Sequence, residues 1–461
     1  MSNSLIERHP WAVVSIAIAG LAAWMGLGTL HDLQHADSLL TVLISTQRWT
    51  PFFWGQDRFG MLVPLLAMPL HHPLANLLAQ GWMMTIAALL APFVMARFLD
   101  GRAGAWVAIG AGANLLFLTI ATPDVRFDWL VAQPYGLSLS LGFAGLIVAD
   151  EGDARSRGAI AFMLLALACW VNVGVVVMLA AAAAISGARP LRLLLLSGGG
   201  IALASLVARY GTSARTIAAL APPRQWLVGW WQLLAGLPGV TARPAIVITV
   251  GIVTVIAAGW LAAARRLPSS RSLLALLAMA ALSWLALGTS LWVGMNLYVF
   301  RYMYPVLLIA GVATSSMIAA LFTGRTAPVS MAALAMLIAF AMVEYGEPSL
   351  GRVERGINER FGHQTAAVIH SGATVIAGNY WRVWPAVFHA NLALARIHSQ
   401  TRVFGLTTRS EETDPLWKNA TQRVVIAAWP DDQTFQAMAD EHGVTAVLIT
   451  HLPGIDLYAA R

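Results

Sequence analysis

The stretch WAVVSIAIAGLAAWMGLGTL, residues 11–30, runs directly into HDLQHADSLL, residues 31–40, and this junction decides the fold. An uncharged helical run of twenty residues, rising about 1.5 Å per residue, reaches across a hydrocarbon core of about 30 Å. It is too long for the apolar centre of a cleaved signal and lacks an A-x-A exit, so it reads as a retained first span. The acid-bearing decamer behind it then opens an aqueous loop.

The pattern recurs along the chain. Of 461 residues, 58% are hydrophobic and only 11% charged, with a mean hydropathy of +0.69. Soluble domains carry about a quarter charged residues, which excludes that class. Spans are expected at 11–30, 62–98 (broken at His71-His72-Pro73), 103–122, 134–149, 158–187, 190–208, 243–264, 272–292, 301–323 and 327–345. The run 158–187 is interrupted by Trp170-Val171-Asn172 and reads as one long helix or a tight pair. Charge favours the pair, because ARPLR (188–192) and ARRLPSSR (264–271) then both lie in the cytoplasm. The acidic EGDAR (151–155) also falls there, against the trend. The expectation is a mainly α, polytopic membrane protein of about eleven spans, with outer loops 31–60, 123–133 and 209–242.

The formal charge of +7 does not point to nucleic acid. Residues 1–345 hold 19 basic against 11 acidic side chains, whereas 346–461 hold 10 against 11. The excess therefore accompanies the membrane segments. Cys169 is the single cysteine, so no intrachain disulfide is possible. After Tyr345 the composition changes, and 346–461 reads as an extracytoplasmic α/β domain behind the membrane domain 1–345. Strands are expected at TVIAG (374–378), RVFGL (402–406), RVVIAAW (423–429) and TAVLIT (445–450). A helix in DDQTFQAMADEHG would start at Asp431 or Asp432 and stop at Gly443. Such alternation suggests a small, largely parallel sheet.

Four stretches hold the side chains able to do chemistry. The first outer loop carries Asp32, Asp37, Asp57, Arg48 and Arg58. SLLTVLIST within it reads as a short amphipathic helix with Asp37 near its start, where capping competes with function. WGQDRFG (54–60) sets Asp57 beside Arg58, either to meet a phosphate or as a pair snorkelling at the interface. PDVRFDW (123–129), read as extended, turns Asp124, Arg126 and Asp128 to one side, for a divalent cation, an acceptor or simply a capped loop. NLYVFRYMYP (296–305) places Arg301 at the outward end of a span among Tyr298, Tyr302 and Tyr304, where an arginine needs an acid or phosphate. GNYWRVWPAVFHAN (378–391) follows a strand and enters a helix, where α/β sheets bind ligands. Its Tyr380, Trp381 and Trp384 suit sugar rings or packing against the membrane, with Arg382 and His389 as polar partners. His71-His72 has no nearby acid and makes a weak metal pair.

An aspartate just past the first span, a juxtamembrane helix, an aromatic-Gly-polar-Arg stretch before the second span and an outward C-terminal α/β domain together resemble the GT-C-type membrane glycosyltransferases. The layout is similar to the dolichyl-phosphate-mannose and aminoarabinose transferase branch. The resemblance implies inverting transfer of a sugar from a polyprenyl-phosphate donor to a lipid or glycan acceptor, on the outer face of the bacterial cytoplasmic membrane. It implies a catalytic acid in the first outer loop: Asp37, with Asp32 and Asp57 behind it. Arg58, Arg301 and Arg126 are then candidates for the donor phosphate. Gln56, Tyr302, Tyr380, Trp381 and Arg382 are candidates for the sugar or acceptor. No cofactor is certain; some members use a divalent cation (Mg or Mn), for which Asp124 and Asp128 are the candidate ligands. The expected partners are the lipid-linked donor, the acceptor and membrane lipids, with no nucleic acid. A transporter or flippase would want polar groups in mid-span, where Asn114, Asn172 and the histidines are the main exceptions. A non-catalytic scaffold would leave Asp37, Arg58, Arg126 and Arg301 without a shared purpose.

Overall fold

The structure, a computed structural model, describes residues 5–56, 59–150, 155–186, 198–200, 220–263, 270–322, 325–419 and 424–460. Two compact units divide them. One gathers Leu27–Trp82 with the described residues from Pro348 onward, and the other holds the remaining described residues.

The larger unit is helical. Among the described residues seven helices are long and apolar enough to cross a membrane: Pro10–Asp32, Pro73–Leu99, Ala103–Ile120, Pro244–Ala262, Arg271–Thr289, Phe300–Leu321 and Thr326–Tyr345. The first two run on into the smaller unit. The pair Pro123–Ala132 and Tyr135–Asp150, bent by 54° where they meet, adds an eighth if it is counted as one span. The chain is thus a polytopic membrane protein. Most of 190–208, the acids of EGDAR, the basic run ARPLR and the arginines Arg265 and Arg266 of ARRLPSSR lie outside the described residues, so the expected eleven crossings are not all on view. The run 158–187 does break where expected. Helices Arg155–Val171 and Val175–Ser186 flank a turn in which Asn172 Oδ1 accepts from the Gly174 N–H at 3.0 Å. Asn114, the other mid-span amide, donates to the Leu89 and Gly110 carbonyls at 2.9 and 3.2 Å. Its polar group is consumed in joining two helices, as a low-dielectric interior demands.

One expectation fails in this unit. Residues 123–127 are helical rather than extended, followed by a π-helical turn over Asp128–Ala132. The reason is local: Thr122 Oγ1 accepts from the Val125 N–H, Pro123 takes the first helical position and Asp124 lies in the first turn. A helix puts Asp124 and Asp128 one turn apart on one side and turns Arg126 away from them.

The smaller unit packs helix α1 (Ala36–Thr46) against a helix over Tyr380–Arg396 in a C-terminal α/β segment. That segment runs α2 (Leu350–Ser371), β1 (Val375–Ala377), α3 (Tyr380–Arg396), β2 (Phe404–Leu406), β3 (Val425–Ala428), α4 (Phe435–Glu441), β4 (Ala446–Leu452) and β5 (Ile455–Ala460). The strand order is β2-β1-β3-β5-β4, with β1 parallel to β2 and β3. The parallel strands are short and nearly all buried, as strands covered on both faces must be. Val375, Leu406, Trp417, Ile426 and Phe435 form their core. The sheet is mixed rather than largely parallel, because β5 pairs antiparallel with both β3 and β4. The sequence reading missed β5, although Pro453 and Gly454, the latter at φ +81°, mark the turn that creates it. Helix α4 begins after Thr434 rather than at an aspartate. Asp432 instead accepts from both the N–H and the hydroxyl of Thr434, a local turn that precedes the helix.

The break in the second hydrophobic segment is also explained here. Leu62–Ala67 is a short helix, and Pro73 starts the long one. Asn76 donates to the Ala67 and Leu70 carbonyls and to Ser45 Oγ at 2.8–3.0 Å, serving carbonyls that the break releases.

Candidate active site

In the smaller unit the first loop and the α/β segment meet around Asp37. Asp37 lies in the first turn of α1, where the helix dipole favours an anion. It is not the cap: Ser38 Oγ accepts from the His35 N–H at 3.3 Å and takes that task. Asp37 is 8% exposed, and its Oδ1 accepts a 2.7 Å hydrogen bond from the Tyr380 hydroxyl. Tyr380 is the first residue of α3. Asn379 caps that helix through the Trp381 N–H at 2.9 Å. Gly378, at φ +136°, lets the chain leave β1 at the required angle, and a Cβ there would sit 2.2 Å from Asp432 Oδ2.

The Arg409 guanidinium lies 4.6 Å from the Tyr380 ring centroid. Burial first, and then the Asp37 charge, push the Tyr380 phenol well above its ordinary pKa, with Arg409 pulling the other way. The hydroxyl therefore keeps its proton and acts as a donor to Asp37. Arg409 is held in turn by Gly55. That glycine has φ +66°, and an added Cβ would meet Arg409 Cγ at 2.8 Å. Its N–H donates to Glu412 Oε1 at 3.0 Å, while the Arg48 guanidinium donates to the Glu412 carbonyl. Burial raises the Glu412 carboxyl, only partly offset by the Gly55 N–H and Arg48.

The described ends of WGQDRFG close on each other. Phe53 N–H donates to the Phe59 carbonyl at 3.2 Å, and Phe52 bridges Gly60. Trp54 is fully buried 5.5 Å from Trp384. Gln56 is 3% exposed, with its backbone N–H on the Phe53 carbonyl. Asp57 and Arg58 lie outside the described residues. Asp32 is exposed, with its carbonyl bound by Arg360. Arg382 stacks 4.3 Å from Trp429 and pairs with Asp431 at 2.8 Å, while Trp381 stands 54% exposed beside them. His389 is buried between Thr365 and Asn358, and burial, with Arg396 second, lowers its pKa to about 4. It holds α2 to α3.

The larger unit holds a second charged cluster. Arg126, 6% exposed, pairs with Glu344 at 2.6 Å and lies 5.8 Å from the Tyr345 ring. Arg243 reaches the other oxygen of Glu344 at 3.4 Å. Asp128 Oδ2 accepts from the Tyr304 hydroxyl at 3.2 Å. Arg301 lies 5.6 Å from the Tyr302 ring, and the Tyr302 hydroxyl accepts from Trp292 at 3.0 Å. Among the described residues no group of three His, Cys, Asp or Glu side chains is placed to hold a metal. Asp124 and Asp128 offer two carboxylates, one already engaged by Tyr304.

Sequence reasoning missed Arg409, Glu412 and Glu344. The first two sit in TTRSEETD, which reads as an ordinary charged loop, and Glu344 reads as the polar end of a span. No local signal ties any of them to a partner hundreds of residues earlier.

No protein-family model and no curated protein matches the sequence. The structure is similar to a solved one, the crystal structure of ArnT from Cupriavidus metallidurans bound to undecaprenyl phosphate. It aligns over 98% of this chain and 98% of its own, with a TM-score of 0.50 and 13% identity. The chain therefore has an ArnT-like fold, and the GT-C-type resemblance seen in the layout holds at the level of the fold.

Proposed function

We propose that this protein is a membrane glycosyltransferase that moves a sugar from a polyprenyl-phosphate carrier to an acceptor hydroxyl on the outer face of the bacterial cytoplasmic membrane. The observation that carries this reading is the buried Asp37 carboxylate, in the first turn of α1 and bound by a phenol that keeps its proton, within an ArnT-like fold. The similar protein binds undecaprenyl phosphate, which supports a carrier of that class.

The acceptor oxygen attacks the anomeric carbon from the side opposite the carrier. The bond from that carbon to the phosphate oxygen breaks, its electron pair leaves with the phosphate, and the configuration inverts. The acceptor proton passes to the Asp37 carboxylate, which acts as general base. Tyr380 orients that carboxylate and Arg409 steadies the ring of Tyr380. Asp32 and Asp57 stand behind Asp37 as substitutes for the base. A leaving phosphate dianion needs a cation, and a guanidinium fork matches it. Arg58, Arg301 and Arg126 are assigned to it. Gln56, Tyr302, Tyr380, Trp381 and Arg382 remain the assignments for sugar or acceptor. Asp124 and Asp128 are the pair that would hold a divalent cation.

The test is mass spectrometry of surface glycolipids and glycans from a deletion strain. The strain is complemented with wild type or with Asp37→Asn at matched expression. Loss of one sugar mass, restored by wild type alone, is expected. Equal restoration by both removes Asp37 as the base, and an unchanged profile on deletion removes the transferase.

A further inference from the structure

The strand order of the α/β segment creates a crevice that the proposed chemistry at Asp37 does not use. From β1 the chain goes through α3 to β2 on one side, then crosses to β3 on the other. Where neighbouring parallel strands send their connections in opposite directions, their carboxyl ends leave a gap, the usual ligand site of open α/β sheets. Here the gap is an open cleft of about 560 Å³. Asn379, Trp381 and Arg382 line it from beyond β1, and Asp431 and Gln433 from beyond β3, with Gln364 of α2 closing one side.

The chemistry of this lining is selective. Arg382 is neutralised by Asp431 and stacked on Trp429. Asp432, also in the wall, stays ionised. Burial works against its charge, but hydrogen bonds from Thr434 and the Asn379 N–H, together with Arg382, hold its carboxyl below the usual range. One guanidinium against two carboxylates leaves the described lining net negative, so a phosphate or carboxylate ligand is repelled. What the wall offers is one exposed indole face and side-chain amides that both donate and accept. A ligand with an apolar C–H face and a rim of hydroxyls matches both.

Resting on the transferase reading, we propose that this cleft binds the acceptor's neutral saccharide portion, with the ring stacked on Trp381 and hydroxyls on Gln364, Gln433 and the Arg382–Asp431 pair. The acceptor is then a glycan or glycolipid recognised by uncharged sugar.

The test uses the full chain in lipid nanodiscs, over an array of neutral oligosaccharides built from hexose, deoxyhexose and N-acetylhexosamine. Matching oligosaccharides carrying uronate, sulfate or phosphate are printed beside them. Capture of neutral members is expected, weakened about tenfold or more in Trp381→Ala, the loss of roughly 1.4 kcal/mol expected for one aromatic platform. Trp381→Phe should recover most of it. Absence of neutral capture, equal capture by Trp381→Ala, or preference for the anionic series overturns the proposal. Asp37→Asn separates the two readings, because it should keep capture while losing transfer. If transfer survives in Asp37→Asn and capture still depends on Trp381, the cleft stands and the assigned base falls.

Discussion

The two charged clusters use similar residues to different ends. Around Glu344, an arginine that is 6% exposed meets a carboxylate at 2.6 Å, with a second arginine on the other oxygen. Around Asp37, a hydrogen bond comes from a phenol that holds its proton, and an arginine lies over the phenol ring. Both oxygens of Glu344 are taken by guanidinium groups, which fixes that carboxylate between helices. The Tyr380 hydroxyl fixes the direction of the Asp37 carboxylate, and a positioned carboxylate is what a general base requires. The first arrangement suits holding helices together, and the second suits chemistry.

Exchanging an oxygen for nitrogen in each cluster separates these roles. Asp37→Asn removes the base, and transfer should fall by about 10²–10⁴-fold, the usual span for a positioned general base. Its thermal unfolding in nanodiscs should barely move. Glu344→Gln should do the reverse, because a buried guanidinium loses its counter-charge at a cost of about 3 kcal/mol. That appears as a lowered unfolding temperature at matched lipid composition, with transfer by the surviving folded fraction near wild type. An Asp37→Asn variant that unfolds early but transfers normally would invert the comparison and sink it.

Tyr380→Phe sharpens the contrast on a smaller scale. The ring and its packing are kept, and the hydroxyl that bonds Asp37 and Arg409 is lost. A hydrogen bond to a charged group contributes about 1.5–3 kcal/mol, so transfer should drop by about ten- to a hundredfold. The loss should fall on kcat more than on KM, because orientation of the base matters most in the transition state. A pure KM effect would instead make Tyr380 a substrate contact.

How far these clusters were legible in the sequence depends on distance along the chain. The first span and the acid behind it were readable because hydropathy and the first polar residues after it are local signals. Asp37 and Tyr380 were each singled out, but as a base and a sugar platform, with 343 residues between them. Their contact follows from packing α1 against α3, which no periodicity encodes. Gly55 was one letter of a quoted motif, yet its use, a positive φ that admits the Arg409 side chain, needs the partner to be seen. The helical turn at Pro123 was a different kind of miss. Thr-Pro-Asp is a helix start, and reading alternating charges as a strand overrode it. Strand β5 was lost for the same reason, since the Pro-Gly turn before it went unused.

The smallest expected effect tests the α/β segment itself. His442 is buried, with Nδ1 2.8 Å from Asp414 Oδ2 and Nε2 2.9 Å from the Thr407 carbonyl; Lys418 shares Asp414. The hydrogen bond to Asp414 raises the His442 pKa above 6.5, against burial and Lys418. A histidine whose folded pKa is raised gives its full stabilisation below the unfolded value near 6.5. It loses that contribution as pH climbs through the higher folded value. Hydrogen exchange at amides around Thr407 and Val444 should therefore quicken as pH rises above 6.5, beyond the intrinsic dependence. His442→Gln should flatten that excess while leaving the amides of α1 unchanged. If the variant keeps the full pH response, the Asp414–His442 pair is not what couples this segment to pH.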